Sequence, residues 1–233
     1  MNPTTKNSRR NFLSTVAVAA TSGLAVMYNP SKAGSKSSGM PKPFNFNFSI
    51  PVNEADKWFK KVKGTHRIVF DAPEPNDAFA IIWTWAFYLT NNQTNTPDDD
   101  MTALCVFRHN GFPFALEDKL WKKYKLGEFF QINDNTTKAP AIRNPYYEPQ
   151  EGDFPFPGID GVKKMQERGA MFCACNLALS VYSGIIANKY GLDPEATRKE
   201  WAEGILPGIQ IVPSGVWAAG RAQENGCHYV FAG

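Results

Sequence analysis

Short apolar runs recur along the chain, separated by stretches with helical spacing. His66-Arg67-Ile68-Val69-Phe70-Asp71 is the first, ended by Pro73 and Pro75. Residues 101–107, 170–175, 209–212 and 227–231 follow. Apolar runs of roughly four to eight residues, bounded by turn signals, suit strands buried on both faces. Between the first two runs the chain is apolar at almost every position from Ala78 to Leu89. Asn76 is placed to cap a helix there, over residues 77 to about 91. These 12 residues are too few to span a bilayer. A helix apolar all round is covered on both sides, by the core and by an insertion or another subunit.

Residues 115–130 predict a helix, with Leu116, Leu120, Tyr124 and Phe129 near helical spacing. Residues 162–168 predict a short one. Another runs from the third strand to about Tyr190 and stops at Gly191. Asp193-Pro194-Glu195 starts a helix in N-cap, N1, N2 order, ending at Gly204. Pro213-Ser214-Gly215 turns into a last helix over 216–225, ended by Gly226. Strands alternating with helices predict an α/β fold, a three-layer α/β/α domain with a five-stranded, mainly parallel sheet.

Two stretches break the alternation. Residues 132–165 are irregular, with Pro140, Pro145, Pro149, Pro155 and Pro157. So long a loop in a compact domain is functional or disordered. Tyr146, Tyr147, Phe154 and Phe156 argue for a packed lid or a subunit contact. At the other extreme lies the N-terminus, where Ser8-Arg9-Arg10-Asn11-Phe12-Leu13 precedes a light apolar stretch and Ser31-Lys32-Ala33. The pattern resembles a twin-arginine export signal with its cleavage site. The expected organisation is therefore a signal over 1–33, a linker and arm over 34–64, and one domain over 65–233, with an irregular insertion at about 132–160. Phe44, Phe46 and Phe48 alternate with polar residues in the arm, and residues 54–60 predict a short helix. The expected location is periplasmic, with membrane contact only through an uncleaved signal.

The signal changes the charge balance. The chain has 25 Lys and Arg against 22 Asp and Glu, a net +3. Residues 1–33 hold four of the bases and no acid, which leaves 21 against 22, a net −1, for the rest. A near-neutral domain offers no electrostatic case for nucleic acid. No phosphate loop, dinucleotide fingerprint, nucleophile elbow or paired-carboxylate motif is present, so neither a nucleotide cofactor nor a resident metal is expected.

Candidate chemistry centres on Ala170-Met171-Phe172-Cys173-Ala174-Cys175-Asn176-Leu177-Ala178-Leu179. It reads as a buried strand ending at Cys175, with Asn176 as helix N-cap. Unpaired N–H groups and the positive end of a helix dipole favour a thiolate there, the reactive form of the thiol. The competing reading is a cysteine that is simply core. Ligands of parallel sheets bind beyond the C-terminal strand ends, where His109, Cys175 and Ser214 all fall. His109 is a candidate proton shuttle, Arg108 and Asn176 are candidate substrate contacts, and Ser214 caps the last helix or touches ligand. Two apart on a strand, Cys173 and Cys175 share a face. Cys173 is core or a resolving thiol, and a metal site using Cys173, Cys175 and His109 lacks the usual spacing. Disulfides among Cys105, Cys173, Cys175 and Cys227 are permitted by export rather than required.

From Thr65 to Phe231, outside much of 132–160, this order of elements resembles the DsrE/DsrF-like sulfur-relay family. The strongest part is Ile209-Gln210-Ile211-Val212-Pro213-Ser214-Gly215-Val216 with Arg221-Ala222-Gln223-Glu224-Asn225-Gly226. The resemblance implies a three-layer α/β/α homo-oligomer, a trimer or hexamer. It also implies a persulfide-forming cysteine at the end of a middle strand, the position of Cys175. The export signal and the long insertion depart from the cytoplasmic relay proteins. The expected function is a sulfur carrier or thiol-redox protein, rather than an enzyme with its own turnover. Its partners would be itself and a sulfane-sulfur compound or a donor or acceptor protein. The rival expectation is a non-catalytic periplasmic binding or assembly protein with a structural Cys175, and a third is a small-ligand or metal site at the strand ends.

Overall fold

The computed structural model describes residues 52–233. The export pattern and Phe44, Phe46 and Phe48 lie outside the described residues.

Strands β1 (His66–Ala72), β2 (Met101–Phe107), β3 (Met171–Cys175), β4 (Ile209–Val212) and β5 (His228–Phe231) form one sheet in the order β4-β3-β2-β1-β5. Every pairing is parallel. A parallel pair needs a long crossover, and helices supply it. They are α1 (Val52–Phe59), α2 (Phe79–Gln93), α3 (Asp118–Tyr124), α4 (Leu126–Phe129), α5 (Val162–Glu167), α6 (Asn176–Tyr190), α7 (Pro194–Glu203) and α8 (Gly215–Glu224). Strands β2 and β3 are buried at every position, which is why they read as unbroken apolar runs. Edge strand β5 keeps three of its four residues exposed.

A core lies on each face of the sheet, so the three-layer α/β/α fold holds. The larger packs Phe70, Cys105, Phe107 and Phe172 against α2, α6 and the insertion. The smaller packs Val69, Leu104, Val106 and Cys173 against Trp58 and Phe59 of α1 and Ala218 and Ala222 of α8. Among the described residues no helix is long and apolar enough to cross a membrane.

Two local expectations are corrected. Asn76 does not cap α2. Asn76, Asp77 and Ala78 are all left-handed, at φ 38, 48 and 62°, and form a tight turn from which α2 starts at Phe79. The single helix expected over 115–130 is two, broken at Lys125, which is left-handed at φ 51°. Ahead of them residues 109–115 form a 3-10 segment in which Gly111 passes close to the end of β1. A Cβ there would lie 2.4 Å from the Ala72 carbonyl oxygen. Within the chain one face of α2 stays partly open, with Trp83, Trp85 and Phe87 half-buried and Phe79 exposed.

The insertion packs onto its own chain. Buried Asn144 donates from Nδ2 to the carbonyls of Phe114 and Leu116, at 2.9 and 3.0 Å, and from its backbone N–H to Asp118. Arg143 pairs at 2.6 Å with Asp153, a carboxylate 1% exposed. Tyr146 meets the Phe114 ring edge-on at 5.2 Å. These links make the irregular stretch part of the core wall.

Candidate functional site

The C-terminal ends of β1, β2, β3 and β4 deliver Asp71, Arg108, Cys175 and Ser214 to one edge of the sheet. Cys175 itself is the N-cap of α6. Its Sγ accepts the Ala178 N–H at 3.3 Å, and Asn176 becomes the first helical residue rather than the cap. The strand's two-residue alternation ends there. Cys173 points into the smaller core, whereas Cys175 turns toward the larger one with Phe172 and Ala174. The two cysteines therefore do not share a face.

Arg108 extends over this edge. Its Nε and Nη2 donate to the two oxygens of Asp71 at 2.6 and 2.9 Å. Tyr229 adds a third donor, its hydroxyl 2.6 Å from Asp71 Oδ2. Asp71 is 2% exposed, and its hydrogen bond raises the Arg108 pKa further. Arg108 directly follows Phe107, whose register partner on β3 is Ala174, so the arginine and Cys175 leave adjacent strand ends. The Pro-Ser-Gly turn has a structural part in this. Ser214 caps α8 by accepting the Trp217 N–H at 3.2 Å. A Cβ on Gly215 would fall 2.5 Å from the Arg108 side chain, so the glycine makes room for it.

His109 and Asn176 take other partners. His109 is left-handed at φ 46°, and its side chain is 57% exposed. Its Nδ1 lies 3.0 Å from Glu74 Oε1, and its ring is edge-on to Tyr182 at 6.1 Å. Asn176 is buried, its Oδ1 accepting from Arg198 Nη2 at 3.0 Å. That leaves it a structural role in joining α6 to α7.

All four cysteines are buried and unpaired. Burial pushes the Cys105 and Cys173 thiols well above the ordinary value and Cys227 up to about 11, which disables them as nucleophiles near neutrality. Cys175, 5% exposed, is the N-cap of α6, its sulfur accepting a backbone N–H. Among the described residues no three His, Cys, Asp or Glu gather as metal ligands, so the Cys173, Cys175 and His109 set is not assembled.

The sequence reading missed Asp71, Glu74, Tyr182 and Tyr229. Asp71 left a trace, as an acid closing an otherwise apolar strand. The others carry no local signal.

Beside this edge lies a cleft of about 620 Å³ between the β1–α2 turn, the chain after α4, and the insertion. Glu74 and Asn110 line it; Cys175 does not. Asn110 Nδ2 donates to Glu74 Oε2 at 2.8 Å, and the Tyr182 hydroxyl donates to Asn110 Oδ1 at 2.6 Å.

No protein-family model matches the chain, and no curated protein matches it. Among solved structures it is similar to a protein of unknown function, MTH1491, from Methanobacterium thermoautotrophicum, at 17% identity. The match covers 72% of this chain and 99% of that one, with a TM-score of 0.37.

Proposed function

We propose that this chain is a sulfur carrier or thiol-redox protein in which Cys175 holds a sulfane sulfur as a persulfide. One observation carries the reading: the Cys175 sulfur receives a helix N-terminal N–H at 3.3 Å, at the strand end next to that of Arg108, whose guanidinium Asp71 holds. Both features suit a sulfur that bears negative charge, as thiolate or as persulfide. The step is an exchange at sulfur. The Cys175 thiolate attacks the sulfane sulfur of a donor such as thiosulfate. The donor S–S bond breaks, its electron pair leaves with sulfite, and a new S–S bond leaves Cys175 as an anionic persulfide. Arg108 balances the charge of donor and product. His109, 3.0 Å from Glu74 and edge-on to Tyr182, is the group proposed to carry a proton on release.

In this reading the protein acts after export to the periplasm and passes sulfur on to an acceptor. The incompletely covered face of α2 is where copies of it associate. A second reading has its own support, since Cys175 is only 5% exposed and lies outside the cleft. There the cysteine is structural, and the protein binds or assembles without chemistry.

Intact mass after incubation with polysulfide or thiosulfate separates the two. A carrier gains about 32 Da, one sulfur atom, and loses the gain in Cys175→Ser but keeps it in Cys173→Ser. Ser at position 175 can still accept the Ala178 N–H, so the variant keeps the helix cap. Absence of any adduct, together with a Cys175 that resists alkylation in the native state, assigns it the structural role.

A further inference from the structure

We infer that the cleft beside the sheet edge is a binding site for a neutral polyhydroxyl ligand, a mono- or disaccharide or the sugar end of a glycan. The inference is independent of Cys175, which does not line the cleft.

Size sets the first limit. About 620 Å³ lies in the range of small-ligand sites and suits one or two sugar rings. Charge sets the second. Of the lining residues, Glu74 and Asp77 are acidic and Lys138 alone is basic, so there is no surplus of cations to hold a phosphate, a sulfate or a sulfane anion. Polarity sets the third. Exposed Asp77, Gln131, Asn133 and Lys138 ring the mouth, which is wrong for a lipid. Carboxylates and carboxamides offer acceptors and donors at neighbouring positions, the pattern that adjacent hydroxyls satisfy. Phe129, half-buried in the wall and packed on Phe130 and Tyr182, adds apolar surface to the lining.

The backbone supports a built site. Eight non-glycine residues have positive φ among those described, and six lie in or beside the cleft wall. Asn76, Asp77, Gln131 and Lys138 line it, while Ala78 and His109 adjoin it. Asn and Asp tolerate this conformation, but Ala, His, Gln and Lys adopt it at about 1 kcal/mol each. Strain of that kind persists where the surroundings over-determine the backbone, and it gathers at ligand sites. The packed insertion and the Glu74–Asn110–Tyr182 hydrogen bonds are those surroundings.

Saturation-transfer NMR on the full chain tests this with glucose, maltose and cellobiose and with spermidine as the cationic control, and phosphorus-31 line broadening tests inorganic phosphate as the anionic one. The expected result is transfer to one or more neutral sugars, weakened at least ~10-fold in Asp77→Gly and in Gln131→Gly, which keep the left-handed backbone unstrained, about the effect of losing one good hydrogen bond. Both positions are exposed, so the variants should keep their circular dichroism, and Cys175→Ser should bind as the parent does. Preference for the disaccharides places the ligand at a glycan end, and preference for glucose makes it a free sugar. The inference is overturned if no neutral sugar gives transfer, if phosphate or spermidine binds more tightly than every sugar, or if binding survives both substitutions unchanged.

Discussion

The Asp71 carboxylate sits at 2% exposure with three donors on its two oxygens, two from Arg108 and one from Tyr229. Removing one partner of such a pair leaves the other buried and uncompensated, which outweighs the modest net value of the intact bridge. Arg108 is 25% exposed at its side chain, so water relieves part of the loss. Asp71→Asn is therefore expected to destabilise the fold by about 3 kcal/mol in urea unfolding, the low end for breaking a buried pair. Tyr229→Phe, which removes one hydrogen bond, should cost only about 1 kcal/mol. A loss below ~1 kcal/mol for Asp71→Asn would class the bridge with exposed ion pairs and remove the argument that Arg108 is pinned beside Cys175. Little of this network is legible in the sequence. Arg108 stands out because it follows a strand, and Cys175 because it ends one. Their common organiser, Asp71, lies 37 residues from Arg108 and 158 from Tyr229. Only the sheet order that sets β1 between β2 and β5 brings them together.

At the scale of elements, the strands and the glycine-terminated helices were readable because their signals are local. Burial on both faces gives β2 and β3 their apolar runs, and Gly191 ends α6 in the left-handed conformation that glycine favours, at φ 66°. The misread elements lack such punctuation. Lys125 ends α3 in the left-handed region, yet lysine is an ordinary helix former, so residues 115–130 read as one helix. Its backbone N–H donates to the Trp121 carbonyl, as the residue after a helix commonly does. Because Lys125 is exposed, only its backbone conformation is at stake. Lys125→Gly should thus stabilise the protein by about 0.5–1 kcal/mol, relief of left-handed strain set against the extra freedom of glycine when unfolded. Thermal unfolding measures it. A lower Tm would mean that the α3–α4 break is not where the chain bends. The start of α2 follows the same logic. Pro75 and Asn76 look like a cap, but three consecutive left-handed residues there make a turn, and the turn forms one wall of the cleft.

At the scale of the whole molecule, the question is whether the insertion belongs to the cooperative unit. Three tyrosines answer it, because each is buried against a different part. Tyr88 lies on α2 beneath the Arg168 guanidinium, 4.9 Å from its ring. Tyr146 comes from the insertion, and Tyr182 from α6. Burial pushes all three up to about 12, foremost by desolvating the charged form. A group whose folded pKa is raised holds its proton in the native state after the unfolded chain has lost it. Its contribution is whole below the unfolded value near 10 and disappears as the pH climbs through about 12. The buried thiols of Cys105, Cys173 and Cys227 are raised from about 9, so the decline begins with them. Stability should therefore fall from about pH 9 and steepen above 10, each group adding at most ~1.4 kcal/mol per pH unit. Tyr182, half-buried, adds less than Tyr88 and Tyr146 because solvent screens it. Denaturant titrations across this range, followed by tyrosinate absorbance and by circular dichroism, measure the slope. Tyr146→Phe decides the structural point. If the insertion folds and unfolds with the sheet, the variant loses one proton's share of the slope and the two signals stay coincident. If Tyr146 ionises near 10 while the circular dichroism is still native, the insertion opens separately and the cleft it walls is not a preformed site.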